Sequence, residues 1–131
     1  MKGSTTHQGR AGRDFERRPL TEQERGWVSE ILAANKDWAD VNVGDLYAVW
    51  SCDCGCKTID FKVSATAHNP RMVGKMGPVG QITVLTKDDR AIWIILHHIR
   101  GVLTELEVVW DDFENPMPDH WEEVSRVVTA A

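Results

Sequence analysis

Three features of the sequence predict an α+β domain: a capped amphipathic helix near its start, five alternating strands through its middle, and a turn-flanked apolar segment near its end. The expected architecture is a five-stranded antiparallel β-meander covered by the N-terminal helix, followed by a short C-terminal helix. Residues 1–18 read as a disordered basic arm of Gly, Ser, Thr, Arg and Gln with one Phe. Residues 19–131 read as a single domain, a length that supports a core without staples.

The helix starts at Thr21-Glu22-Gln23-Glu24, a capping box in which Thr21 and Glu24 satisfy each other's backbone N–H groups. Trp27, Val28, Ile31 and Leu32 follow at helical spacing as one apolar stripe, and Asn35 is the expected stop. Next, Leu46, Ala48, Trp50 and Cys52 alternate with Tyr47, Val49 and Ser51, and Ile59, Phe61 and Val63 alternate with polar residues. Folding these runs about Asp53-Cys54-Gly55-Cys56 sets Trp50 opposite Ile59, Ala48 opposite Phe61 and Leu46 opposite Val63. Residues 64–80, rich in Gly and Pro, read as a long loop. Strands are then expected at 81–86, 91–98 and 102–110. A two-residue turn at Arg100-Gly101 sets His97 opposite Thr104, Ile95 opposite Leu106 and Trp93 opposite Val108. That register places His98 on the same face as Glu105 and Glu107. Pro116 and Pro118 mark a turn, after which Trp121, Val124 and Val128 share one side of the expected short helix.

Composition narrows the function classes. The net charge is −5, yet residues 1–20 carry five basic and two acidic side chains, and residues 101–125 contain no Lys or Arg. An acidic body disfavours nucleic-acid binding outside the arm and suits a basic protein partner. The longest apolar run, Ala91 to Leu96, is too short to span a bilayer, and the first residues lack an apolar signal core. Cytoplasmic residence is the expectation. Nucleotide-binding glycine loops and the common hydrolase signatures are missing from the sequence.

Three constellations carry chemistry. Cys52, Cys54 and Cys56 offer thiolates to zinc, with a histidine as fourth ligand, His68 from the long loop or else His97, His98 or His120, although C-x-C-x-C departs from the usual C-x2-C knuckle spacing. The same thiols could instead serve redox regulation, or one could be buried with two small turn residues. His98, Glu105 and Glu107 form a possible acid–base set beneath the 64–80 loop. Glu105, Glu107, Asp111 and Asp112 head an acidic region that could meet a basic partner. Without a persuasive catalytic set, the leading expectation is a non-enzymatic protein-binding module, immunity-like or antitoxin-like. A metal-binding or redox-responsive protein and a small enzyme are the alternatives.

Three segments also resemble a known group. The helix start Leu20-Thr21-Glu22-Gln23-Glu24-Arg25, the Cys52-x-Cys54-Gly55-Cys56 hairpin with Thr58-Ile59-Asp60 after it, and the strand Gly101–Val108 are similar to those of small uncharacterised bacterial proteins, largely actinobacterial. The resemblance runs in order over roughly residues 19–125 and implies a bacterial single-domain protein. The stretch from Lys36 to Gly44 looks shorter than its counterpart in that group. No catalytic residue is transferred by the resemblance.

Overall fold

The computed structural model describes residues 12–53, 56–63, 68–112 and 114–131. Among them one helix, α1 (Glu22–Ala34), accompanies seven strands: β1 (Gly12–Pro19), β2 (Leu46–Cys52), β3 (Ile59–Val63), β4 (Met76–Thr86), β5 (Ala91–Ile99), β6 (Val102–Trp110) and β7 (Glu123–Ala130). The strands form one antiparallel sheet in the order β1-β2-β3-β6-β5-β4-β7. This corrects the expected five-stranded meander with two helices.

The corrections have identifiable causes. Residues 12–18, read as part of a disordered arm, belong to β1, which pairs with β2; residues 1–11 lie outside the described residues. The segment read as a C-terminal helix is β7, hydrogen-bonded along β4. Its Val124, Val127, Val128 and Thr129 are β-branched, and the open edge of β4 rewards strand pairing over the helical spacing of Trp121, Val124 and Val128. Part of the expected 64–80 loop, from Met76 onward, extends β4. The chain then reaches β4 on the far side of β5 and β6, so β3 meets β6 rather than β4.

Helix α1 starts as the sequence predicts. Glu24 N–H donates to Thr21 Oγ1 at 3.1 Å, and Thr21 N–H donates to Glu24 Oε1 at 2.8 Å. Arg18 adds a pair of bonds to the same carboxylate, at 2.9 and 3.1 Å. Trp27, Val28, Ile31 and Leu32 are buried against the sheet, where each large apolar side chain contributes about 1.5–3 kcal/mol. Asn35, Asn42 and Asn69 each accept from the backbone N–H two residues on, opening the short 3-10 turns 36–38, 43–45 and 70–72.

The helix-facing side of the sheet is apolar. Ile82 and Val84 of β4, Ile92, Ile94 and Leu96 of β5, and Leu106 and Val108 of β6 are buried there, in register across the three strands. Trp38, which the sequence leaves in an irregular segment, is also buried in this core. Among the described residues no helix is long and apolar enough to cross a membrane.

Gly80 sets how closely α1 approaches. A Cβ there would lie 2.9 Å from Ile31 Cγ2 and 2.7 Å from the Thr129 carbonyl oxygen of β7. The helix and the β4–β7 pairing therefore close on one bare backbone position. Gly80→Val must push both away and is expected to cost about 1–3 kcal/mol. Urea denaturation of the variant tests this, and an unchanged midpoint would mean that the helix seat has slack.

Candidate functional site

The site forms where β5 and β6 slip by one residue. Arg100 and Gly101, both with positive φ (54° and 83°), make the two-residue turn, and Ile99 pairs with Val102 as expected. His98 then pairs with Leu103, and His97 pairs not with Thr104 but with Glu105. Thr104 is the extra residue of this β-bulge; its hydroxyl donates to the His97 carbonyl at 3.4 Å. Beyond the bulge Leu96 faces Leu106 and Ile95 faces Glu107. The expected pairings of Ile95 with Leu106 and of Trp93 with Val108 are therefore each displaced by one.

One slip exchanges the roles of two adjacent histidines. His98 points to the helix side, is 6% exposed, and lies 5.0 Å from the Trp38 ring. Its Nδ1 accepts from Gly101 N–H at 3.2 Å, which makes Nε2 the protonated nitrogen of the neutral ring. It is a core histidine, and the structure does not bring it to Glu105 and Glu107. His97 lies on the opposite face and takes that place. Its Nε2 is 2.9 Å from Glu107 Oε1. One donor atom from each of His97, Glu105 and Glu107 lies within 4.8 Å of the others. Glu105 is 5% exposed. Asp60 of β3, 3% exposed, is the cross-strand partner of Glu105 and extends the row across a third strand.

The electrostatics separate the two rings. The bond to Glu107 raises the His97 pKa above the ordinary imidazole value; burial opposes this, and the charges of Glu105 and Glu107 add to it. Burial lowers the His98 pKa, and the neighbouring His97 charge lowers it further. The linkage signs are opposite. His97 contributes stability that is fully present below its unfolded value of about 6.5 and is lost as pH rises through the raised folded value. His98 favours the fold in its neutral form, so its contribution is lost as pH falls from about 6.5 towards its lowered folded value.

The remaining residues singled out in the sequence are dispersed. Cys52 and Cys56 are half-buried, and Cys54 lies outside the described residues. Cys56 Sγ donates to Thr58 Oγ1 at 3.3 Å, and the Thr58 hydroxyl in turn bonds both the N–H and the carbonyl of Val108. His68 instead bridges to Val102 and lies 3.3 Å from the Arg100 carbonyl. Val102 and Val108 stand about 20 Å apart along β6, so His68 and the cysteines occupy opposite ends of the sheet. Asp111 accepts from Ala91 N–H at 2.8 Å. Asp112 caps a turn by accepting from Glu114 N–H, Asn115 N–H and the Asn115 side chain, and pairs with Arg90 at 3.6 Å. The Asn115 side-chain bond is the main reason that the Asp112 pKa is lowered. Glu105, Glu107, Asp111 and Asp112 thus do not form one outward-facing acidic patch.

No family model, curated protein or solved structure matches this chain.

An NMR pH titration of the imidazole resonances should place His97 above and His98 below about 6.5. Glu107→Gln should bring His97 down towards that value and leave His98 below it. Both rings titrating on the same side would contradict the register that separates them.

Proposed function

We propose that the chain is a metal-binding protein in which His97, Glu105 and Glu107 hold a divalent first-row transition-metal ion. The observation that carries this reading is the convergence of one imidazole and two carboxylate donors within 4.8 Å. Imidazole suits zinc, iron and nickel, and carboxylates add affinity for manganese. A tetrahedral zinc with bonds of about 2.0–2.1 Å sets its ligand atoms roughly 3.3 Å apart. The His97–Glu107 separation of 2.9 Å is shorter than that value and the full span of up to 4.8 Å is longer, so the side chains must rotate to close on an ion. All three donors stand on paired strands, which hold side chains more precisely than loops do. Asp60 is the nearest further carboxylate along the row.

Metal and proton compete for His97, so affinity should fall as pH drops through its raised pKa. Calorimetric titration of metal-free protein with zinc and with manganese, at pH 7.5 and pH 5.5, tests the reading. One ion per chain is expected, weakened at the lower pH and lost in His97→Gln. An ion at about one hundred times its Kd should also stabilise the fold by about 2.7 kcal/mol. A variant with Cys52, Cys54 and Cys56 all changed to Ser should keep this ion. Binding that survives His97→Gln but disappears with the cysteines would transfer the site to the thiols.

A protein-binding module is a second reading, supported by the exposed edge of β7. Val124 and Val127 are 68% and 56% exposed there, and no proline interrupts the strand. The opposite edge, β1, is charged, has an irregular register and ends in Pro19. Light scattering over a range of concentrations should show self-association that Val127→Lys abolishes if a second copy is the partner. A monomer at every concentration would remove a second copy as that partner.

A further inference from the structure

A second site of different chemistry lies on the helix-facing side, away from His97. An open cleft of about 340 Å³ runs between α1, the segment 119–121 and β7. Two indoles form part of its lining: Trp27 of α1 and Trp121 stack with ring centroids 6.3 Å apart and planes 11° from parallel. Trp27 is buried beneath the helix, whereas Trp121 is only partly covered. Around them stand the carboxylates of Glu22, Glu30 and Asp119.

The one arginine in the lining does not cancel this charge freely. Arg126 is bonded to Glu30, and its Nε and Nη2 donate to Glu123 at 2.9 and 2.8 Å. The bulge between the Leu85 and Thr86 pairings brings Glu123 and Arg126 to the same face of β7 and so permits that contact. Arg126 therefore spans two acids and ties α1 to β7, while Glu22 and Asp119 add negative charge to the same cleft. A second cleft of about 330 Å³, lined by Trp110, Pro118 and Glu122 among others, shares His120 and Trp121 with the first.

We infer that this cleft is a binding site for an organic cation, an aliphatic ammonium or guanidinium group resting on Trp121. An indole face attracts a cation through its quadrupole, and surrounding carboxylates reinforce the attraction. The volume is in the range of small-ligand sites, and the aromatic lining suits the alkyl part of such a cation better than it suits a bare metal ion. The same chemistry could arrive as a free polyamine or as a lysine or arginine side chain of a peptide, and the two sources are separable by experiment. The inference is independent of the metal reading, because no residue is shared between the two sites.

Tryptophan fluorescence titrations with spermidine and with the blocked peptide acetyl-Gly-Lys-Gly-amide test it, with sodium glutarate as an anionic control. Both cations should give saturable changes, and glutarate none. Trp121→Ala and the double variant Glu22→Gln/Asp119→Asn should each weaken cation binding by about fivefold or more, the equivalent of one cation–π or ion-pair contact of about 1 kcal/mol. The indole change also alters the reporter, so both variants are measured by calorimetry as well. A stronger response to spermidine assigns the site to free polyamines, and a stronger response to the peptide assigns it to a basic protein segment. Absence of saturable binding by either cation, or full affinity in the Glu22/Asp119 variant, would overturn the inference.

Discussion

The phase of β5 against β6 governs the rest of the molecule. Strand β5 is apolar on both faces, so its own sequence gives it no preferred side. The bulge at Thr104 supplies one by letting Leu103, Leu106 and Val108 all contribute to the core although 103 and 106 are an odd number of residues apart. Ile92, Ile94 and Leu96 then meet α1, and Trp93, Ile95 and His97 are left on the other face. A ladder without the bulge would turn either Leu103 or the Leu106–Val108 pair away from the core, and would part His97 from the carboxylates beside which it now lies.

What the sequence disclosed follows the same physics. The capping box at Thr21 and Glu24, the stripe Trp27, Val28, Ile31 and Leu32, and the Arg100-Gly101 turn were legible because each is local. The pairing of Leu46 with Val63 and of Ala48 with Phe61 was legible from alternation, but the bulge before Trp50 displaced the rest of that hairpin, setting Trp50 opposite Asp60. Alternation alone puts His98 on one face with Glu105 and Glu107, whereas the structure sets His97 beside them. The two differ because His97 and His98 are adjacent and a single inserted residue exchanges their faces. The odd spacing of Leu103 and Leu106 was the available sign of that insertion. Strand β7 and the union of β3 with β6 depend on partners distant in the chain, which no local period encodes.

Charge is distributed with similar economy. The acidic stretch suggests a surface, yet several of its members are occupied within the fold: Glu107 with His97, Asp111 with the start of β5, and Asp112 with its own turn and Arg90. Lining carboxylates remain on the helix side at Glu22, Glu30 and Asp119. The two faces of one sheet thus present different electrostatic problems, a compact set of donors on one and an aromatic cleft rimmed by acids on the other.

The union of β3 with β6 has a mechanical meaning. Among the described residues Ile59–Leu106 and Asp60–Glu105 are the pairs across it, whereas β4, β5 and β6 are laced along most of their lengths. Helix α1 rests chiefly on the β5-β4-β7 side. The sheet is therefore two ribbons joined by a narrow seam, and the Thr58 hydroxyl, bonded to both backbone groups of Val108, acts as a rivet at one end of it. Sub-global opening should follow such a seam, with β1, β2 and β3 departing as one cooperative unit while the helix-backed ribbon persists. Asp60 stands on the first ribbon and Glu105 and His97 on the second, so the row of acids and imidazole straddles the seam between them.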